Sequence, residues 1–372
     1  MNMNSNDLLE NFEATARIVV IGVGGAGNNA VNRMIEENIT SVEFYVMNTD
    51  MQTLANSRAN NRLILGQEIT EGLGAGGDPE IGRKAAEASA EQIKEIVTGA
   101  KMVFIAAGMG GGTGTGAAPV IAQIAKDCGA LTVAIVTRPF TFEGKKRISY
   151  SVEGLNSLKA VVDAIILVSN DKLLLSNGNR PINEAFSESD RVLAQSVKTV
   201  TDLILMPAII NLDFADVKST LKDSGIALIG FGMGQGPKKA QDAAFAAINS
   251  PLLETSIAGA KRAICSVTCG TDVSLFEAQN CINFIIEAAG GALEIKFGIS
   301  VNDQLSDQLI VSIIASDFAQ EFDFTSIPQY SNNDFISALN SKPKQIEETE
   351  IKDVTDEDSS HILPSFLKDK HL

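Results

Sequence analysis

Residues 108–119 read GMGGGTGTGAAP, and six of the first nine positions are glycine. An apolar stretch, MVFIAA (102–107), comes before this run, and a helix-compatible one, AAPVIAQIA (117–125), follows it. Glycine weakens regular structure, so a run this dense marks backbone that something must approach closely. Between a strand and a helix, a bare glycine turn lets N–H groups converge, and the helix start behind it adds partial positive charge. That combination suits an anion such as a phosphate chain, and Thr113 and Thr115 add hydroxyl donors.

A second turn of the same kind lies near the start. Gly22, Gly24 and Gly27 in GVGGAG fit G-x-G-x-x-G, after the apolar run ARIVVIGVG and at the opening of a helix through Met34. The next apolar run, VEFYVMNTD, ends in Asp50, where a dinucleotide fold places its ribose-binding acid. Alone, this turn favours an NAD-type site, and a tight packing turn is the plainer alternative. With two such turns on the carboxyl edge of one parallel sheet, a longer phosphate chain can be gripped than with one. There is no G-x-x-x-x-G-K-[ST], which excludes a P-loop.

Periodicity extends the alternation along the chain. After the glycine-rich connection GLGAGGDPEIG a helix is expected over 83–97, then the strand MVFIAAG, the quoted turn, a helix and the strand LTVAIVT. A helix over 144–162 and the strand AIILVS follow. Strands this apolar between helices indicate an α/β fold, a Rossmann-like parallel sheet covered on both faces. Residues 181–206 keep helical spacing without glycine or internal proline, between Pro181 and Pro207, which gives one long helix. Beyond it a smaller α+β unit is expected, with ALEIKFGIS and QLIVSIIAS as an antiparallel pair. The divisions are a disordered N-terminus (1–16), the parallel-sheet domain (17–180), the long helix (181–207), the α+β domain (208–320), a disordered acidic linker (321–358) and a C-terminal peptide (359–372).

Composition narrows the function. A formal net charge of −16 with no basic cluster argues against a nucleic-acid partner. The polar N-terminus lacks a signal-peptide pattern, and no apolar stretch approaches the ~18 residues of a membrane span. This reads as a cytoplasmic chain without direct membrane insertion. The four cysteines (Cys128, Cys265, Cys269, Cys281) contain no Cys-x-x-Cys pair and read as buried free thiols. The two histidines, His361 and His371, sit in the last dozen residues, so His-based nucleophile activation or metal binding in the folded body is excluded. Any chemistry must use carboxylates, backbone donors, Lys or Arg, or an oxygen-held metal.

GMGGGTGTG resembles the tubulin-type signature loop. With VIGVGGAGNNAVNRM, FEGKKR and NLDFADV, the chain resembles the FtsZ family of bacterial tubulin-like cell-division GTPases over about 16–316. The resemblance implies a two-domain tubulin-like fold around a long core helix. It also implies GTP/GDP as ligand and GTP-driven head-to-tail assembly of the chain with itself. By motif, Gly24, Gly25, Ala26, Gly27, Asn28 and Asn29 would contact phosphates and, through Asn29, the base. Gly110, Gly111, Gly112, Thr113, Gly114 and Thr115 would hold the phosphate chain. Glu143 and Arg147 would face ribose and phosphates, though their spacing equally fits an exposed i,i+4 ion pair. Phe186 and Asp190 would stack on and hydrogen-bond the base, with Arg191 beside Asp190 as a departure from commoner patterns.

Asn211, Asp213 and Asp216 cluster in NLDFADV, where capping of the helix DVKSTLK is the plainer reading of Asp216. A helix of about 25 residues is roughly 37 Å long. If its first turns touch the base, this cluster lies at the far end of the molecule and can serve only the nucleotide of a stacked neighbour. The family mechanism follows that logic. Asp213 and Asp216 would polarise the attacking water, with Asn211 nearby and Mg²⁺ held mainly by phosphates and water rather than by protein ligands. A dinucleotide-dependent oxidoreductase using the first turn and Asp50, and a scaffold that assembles without hydrolysis, remain the competing readings. The terminal cluster ILPSFLK is either a frayed end or, by the resemblance, a docking peptide. In the second case Leu363, Pro364, Phe366 and Leu367 would anchor membrane-tethering adaptors such as FtsA at the division site.

Overall fold

The computed structural model describes residues 17–39, 42–176, 182–205, 208–250, 256–318 and 323–325. The expected disordered N-terminus and the C-terminal peptide with Leu363, Pro364, Phe366 and Leu367 lie outside the described residues, as does most of the acidic linker. Ten strands form one sheet: β1 Ile18–Val23, β2 Glu43–Asn48, β3 Asn61–Ile64, β4 Met102–Gly108, β5 Leu131–Arg138, β6 Ala164–Ser169, β7 Gly225–Gln235, β8 Ala260–Cys269, β9 Glu294–Val301 and β10 Gln308–Phe318. Their order is β3-β2-β1-β4-β5-β6-β7-β10-β8-β9.

From β3 to β6 every pairing is parallel. All residues of β1, β5 and β6 are buried, which explains why these strands read as unbroken apolar runs rather than alternating ones. One face is covered by helices that include Pro79–Ala88, Thr113–Asp127 and Lys145–Lys159, with Lys239–Ile248 and Leu275–Ala288 farther along. Gly24–Glu36, Phe214–Leu221 and the long helix Ile182–Leu205 cover the other. Val192, Leu193, Ala194, Val197 and Val200 of the long helix are fully buried. The parallel half meets the rest at a narrow joint, where only residues 164–166 of β6 pair with 225–227 of β7. The fold is α/β with two domains, as the sequence indicated. Among the described residues no helix is long and apolar enough to cross a membrane.

Three local expectations are corrected. The helix expected over 83–97 is two helices, Pro79–Ala88 and Ala90–Val97, because Ser89 leaves helical geometry and its hydroxyl accepts the Gly66 N–H at 3.0 Å. The chain after Asp50 forms a strand, β3, and two short helices where only a connection was expected. β9 and β10 are not paired with each other. β10 lies antiparallel between β7 and β8, while β9 runs parallel to β8 at the sheet edge. Burial accounts for the difference: β10 is apolar on both faces and needs covered flanks, whereas β9 is mostly exposed or half-buried. The cysteine reading holds, since Cys265, Cys269 and Cys281 are buried free thiols and Cys128 is half-buried. Burial raises the Cys269 thiol to about 11 and that of Cys281 to about 12, leaving both protonated and inert.

Candidate functional site

The two glycine turns meet at the carboxyl edge of β1 and β4. Gly24 adopts φ +70°, and a Cβ there would lie 2.9 Å from the Gly114 nitrogen, so each turn is built against the other. Close packing explains several more glycines. A Cβ at Gly27 would sit 2.2 Å from the Ala106 carbonyl oxygen, and one at Gly114 would sit 2.5 Å from that of Gly108. Gly108 in turn faces the Ala26 methyl, which explains why alanine fits at that position. Packing does not explain Gly25 or Gly111, because a Cβ at either would meet nothing within 4 Å. These two glycines keep open the floor of a cradle.

Donors line that floor. In the helix Thr113–Asp127, Gly116 N–H bonds the Gly112 carbonyl at 3.0 Å, and the N–H groups just before it belong to the unpaired first turn of a helix. The threonine hydroxyls point inward: Thr115 Oγ1 accepts the Gly110 N–H at 2.8 Å, and Thr113 Oγ1 shares a hydrogen with Thr49 Oγ1 at 2.7 Å. An anion held here would meet backbone N–H groups, with the threonine oxygens also fixing the turn. Asn28 is also structural, buried with its amide oriented by its surroundings to donate to the Gly22 and Gly24 carbonyls at 2.9 and 3.0 Å. Asn29 is exposed and lines a cleft of about 230 Å³ with Asn32, Arg33, Glu36, Arg58, Ser187 and Asp190. The cleft lies along the helix Gly24–Glu36, which opens with the first glycine turn.

An aromatic cluster includes Phe186, the residue before Ser187 of the cleft. The Phe186 ring is 43% exposed and packs edge-on to Phe140, 5.1 Å between centroids, while Phe142 stacks on Phe140 at 4.9 Å. Glu143 accepts the Phe140 N–H at 2.9 Å and forms the i,i+4 pair with Arg147. Asp171 accepts both the N–H and the hydroxyl of Thr141, at 2.9 and 2.6 Å, which ties this turn to the end of β6. Arg191 pairs with Glu188 at 3.2 Å. Burial pushes the Asp190 carboxyl up to about 7, against a downward pull from Arg33.

Two contributors escaped the sequence reading. Residues 72–77 form a third glycine turn, with Gly74, Gly76 and Gly77 at positive φ and Ala75 packed where a Gly112 Cβ would go. Its signal was the Asp78–Pro79 cap and first-turn pair right after it, but without recognition of β3 it looked like a plain connection. Asn170 is buried at the end of β6 and accepts the Ser189 hydroxyl at 2.8 Å, which sets an amide beside the Asp190 turn.

Asn211, Asp213 and Asp216 are gathered elsewhere. Asp213 caps the helix Phe214–Leu221 by accepting the Asp216 N–H at 2.8 Å, and Asp216 returns the bond to the Asp213 N–H at 3.2 Å. Lys296 of β9 lies 3.0 Å from Asp216, and its hydrogen bond, the largest influence, holds that carboxyl below the usual carboxylate range. Asn211 Oδ1 accepts the Ala208 N–H at 2.6 Å. Ile209 N–H bonds the Ile299 carbonyl at 2.8 Å, which binds the segment to β9. β9 lies six steps across the sheet from β4, roughly 29 Å at 4.8 Å per strand. Along the long helix, Leu205 is fifteen residues beyond Asp190, about 22 Å. The acidic turn is thus remote from the glycine cradle of its own chain.

Asp50 has a different task from the one a dinucleotide site would give it. Its carboxylate caps the helix Met51–Ala55, accepting Gln52 N–H at 2.9 Å and the Thr53 hydroxyl at 2.7 Å, and the Thr53 bond is the main cause of its lowered pKa. Both carboxylate oxygens are thus engaged in capping the turn that follows, a structural role that accounts for Asp50 without a ribose. Among the described residues no group of three or more His, Cys, Asp or Glu side chains is gathered to hold a metal ion.

Comparison with known proteins agrees with this geometry. The Tubulin/FtsZ family GTPase domain matches residues 17–177, and the FtsZ family C-terminal domain matches 225–319. An FtsZ dimer from M. jannaschii, described as empty, is 38% identical with a TM-score of 0.80, covering 95% of this chain and all of that one. An FtsZ mutant structure from M. jannaschii is 39% identical with a TM-score of 0.78, covering 88% of this chain and 99% of that chain. At 21% identity and a TM-score of 0.72, CetZ2 from Haloferax volcanii, described as a GTPγS-bound protofilament, shares the fold over 87% of this chain and 98% of its own.

Proposed function

The chain belongs to the tubulin/FtsZ family of GTPases, and we propose that it assembles head to tail with copies of itself into the filament of a bacterial division ring, hydrolysing GTP between neighbouring subunits. One observation supports this reading: the glycine cradle and the acidic turn, which would be complementary halves of a hydrolytic site, lie remote from each other in one molecule. A head-to-tail contact joins such parts, and when its rotation does not close it makes a filament. Exposed apolar side chains support the contact at both ends. Leu73 and Phe142 flank the cradle at 83% and 59% exposure, and Ile209 beside the acidic turn is 72% exposed.

In the working site, backbone donors of residues 24–27 and 111–115 hold the phosphates, with Gly110 placing the turn through its bond to Thr115, and the 72–77 turn closes around their end. Asn29 and Asp190 meet the base, Phe186 stacks on it, and Glu143 and Arg147 face the ribose and phosphates. No described cluster of side chains would hold Mg²⁺, so the phosphates and water would carry it, and when bound it would supply charge neutralisation to the leaving phosphates. The incoming Asp213 and Asp216 orient the attacking water and accept its hydrogens, with Asn211 at their side. Lys296 keeps Asp216 ionised, so this carboxylate is an acceptor at neutral pH but a weak base. Positioning dominates over proton abstraction, and slow turnover follows. The filament works in the cytoplasm at the division site, tied to membrane adaptors such as FtsA through residues 359–372.

Phosphate release measured against protein concentration tests the proposal. A threshold is expected, with negligible turnover per subunit below it and constant turnover above. Turnover per subunit independent of dilution would overturn it.

A further inference from the structure

The acidic turn is fastened to the sheet edge on both sides. Ahead of it, the Ile209 and Ile210 N–H groups bond the Ile299 carbonyl of β9 at 2.8 and 3.2 Å, and the Ile210 carbonyl accepts the Ile299 N–H at 3.1 Å. Behind it, Lys296 reaches over from the same strand. Its Nζ lies 3.0 Å from Asp216 Oδ1 and donates to Ser219 Oγ at 2.6 Å. The Ser219 hydroxyl donates in turn to the Asp216 carbonyl at 2.9 Å. One ammonium group closes a ring of bonds that begins and ends on Asp216.

Bonds inside the turn pass that constraint on. Asp216 Oδ2 accepts the Asp213 N–H at 3.2 Å, and Asp213 Oδ1 accepts the Asp216 N–H at 2.8 Å. Both Asp216 oxygens are held, whereas Asp213 Oδ2 accepts no bond among the described residues. Nearby cations are engaged elsewhere: Arg262 of β8 is turned to the Ser219 carbonyl and to Asp317 of β10, and Lys198 of the long helix pairs with Asp202. The Lys296 and Asp216 side chains are 29% and 32% exposed. An ion pair this open to water adds little to folding stability, so its contribution is the aim of the carboxylate.

We propose that Lys296 is a positioning residue for hydrolysis: by bridging Asp216 to Ser219 it locks the acidic turn in the one shape that aligns a water against the phosphates in the neighbour's cradle. This rests on the reading that the acidic turn serves the next subunit. Lys296 acts through Asp216 and not on the nucleotide. Without it the reciprocal bonds of Asp213 and Asp216 still cap the helix, but the Asp216 carboxylate loses its second anchor and regains its rotamers. Each unproductive rotamer takes the acid out of line with the water, and small misplacements of this kind are costly in rate.

Four variants of the full chain test this: Lys296→Met, Lys296→Arg, Asp216→Asn and the double variant Lys296→Met/Asp216→Asn. Each is measured for melting temperature, GTP affinity, assembly threshold by sedimentation, and phosphate release from radiolabelled GTP per pelleted subunit. Lys296→Met keeps the stem without the charge. It is expected to melt, bind GTP and assemble like the original, while turnover per assembled subunit falls about 10-fold. Lys296→Arg keeps the charge and the donors and is expected to recover most of that rate. In the double variant, loss of Lys296 is expected to add nothing to the loss caused by Asp216→Asn, because a residue acting through another has no separate effect once that other is gone. Full turnover in Lys296→Met, an equal loss with and without Asp216, or failure of Lys296→Met to assemble would overturn the role of Lys296. Full turnover in Asp216→Asn would instead overturn the reading of the acidic turn, and the inference with it.

Discussion

Asp213→Ala is expected to leave GTP affinity within about twofold of the original and to reduce turnover by about 10²–10³-fold, the range for losing a positioned acid–base group. Affinity is spared because Asp213 lies far from the cradle of its own chain and touches only its own turn. The alanine also removes a helix cap, which costs about 1 kcal/mol of stability and could itself disturb assembly. Asp213→Asn separates the two effects. Asparagine caps as well as aspartate, so this variant is expected to melt like the original while hydrolysing as poorly as the alanine variant. Phosphate release at a fixed concentration above the assembly threshold, paired with a nucleotide-binding isotherm, reads both quantities. Normal turnover in Asp213→Asn would remove this residue from the mechanism.

Gly111→Ala is expected to preserve the fold and weaken GTP binding by about 10-fold or more, through one methyl group placed over backbone donors. The contrast with Gly27→Ala makes the prediction specific. At Gly111 the added methyl meets no protein atom, whereas at Gly27 it would lie 2.2 Å from the Ala106 carbonyl oxygen. The second variant is expected to lose about 1–3 kcal/mol of stability from overpacking, before any effect on ligand. Thermal melts without nucleotide should rank the original and Gly111→Ala together and Gly27→Ala below them. Unchanged GTP affinity in Gly111→Ala would mean that the phosphates do not lie over this turn.

Much of the fold was legible because burial on both faces leaves a strong trace. β1, β4, β5 and β6 are apolar runs bounded by glycine or polar residues, and the spacing of the long helix carries its buried stripe openly. The β3 strand was not legible, since its four residues are exposed or half-buried and lack the apolar signal. The order of β8, β9 and β10 could not be read either, because proximity in sequence suggests a hairpin while the burial of β10 demands the interior position.

At the site, glycine density found two turns, but composition could not distinguish glycines that permit packing, such as Gly27, from those that open space, such as Gly111. Sequence offered Thr113 and Thr115 as hydroxyl donors but could not show that both oxygens also brace the turn, Thr115 Oγ1 by accepting the Gly110 N–H and Thr113 Oγ1 through Thr49. Arg191, the departure beside Asp190, is turned to Glu188 and does not line the cleft, where Arg33 and Arg58 stand instead. The remoteness of the acidic turn was legible from helix length once the resemblance put the base at the helix's first turns, and the sheet order adds a second, independent distance.

The most direct test of catalysis between subunits is a mixing experiment. The double variant Gly111→Ala/Asp213→Asn, impaired in both cradle and acidic turn, is titrated into the original protein at constant total concentration, above the assembly threshold and at a GTP concentration that fills the original cradles but not the variant ones. Co-pelleting establishes that the variant is incorporated, and phosphate release is expressed per original subunit. If each nucleotide is hydrolysed by the neighbour's acidic turn, random copolymers at equal proportions place a defective turn over about half of the original cradles, and turnover per original subunit falls to about half. Turnover per original subunit that stays constant at every mixing ratio would show that each chain completes its own site, and would contradict the account.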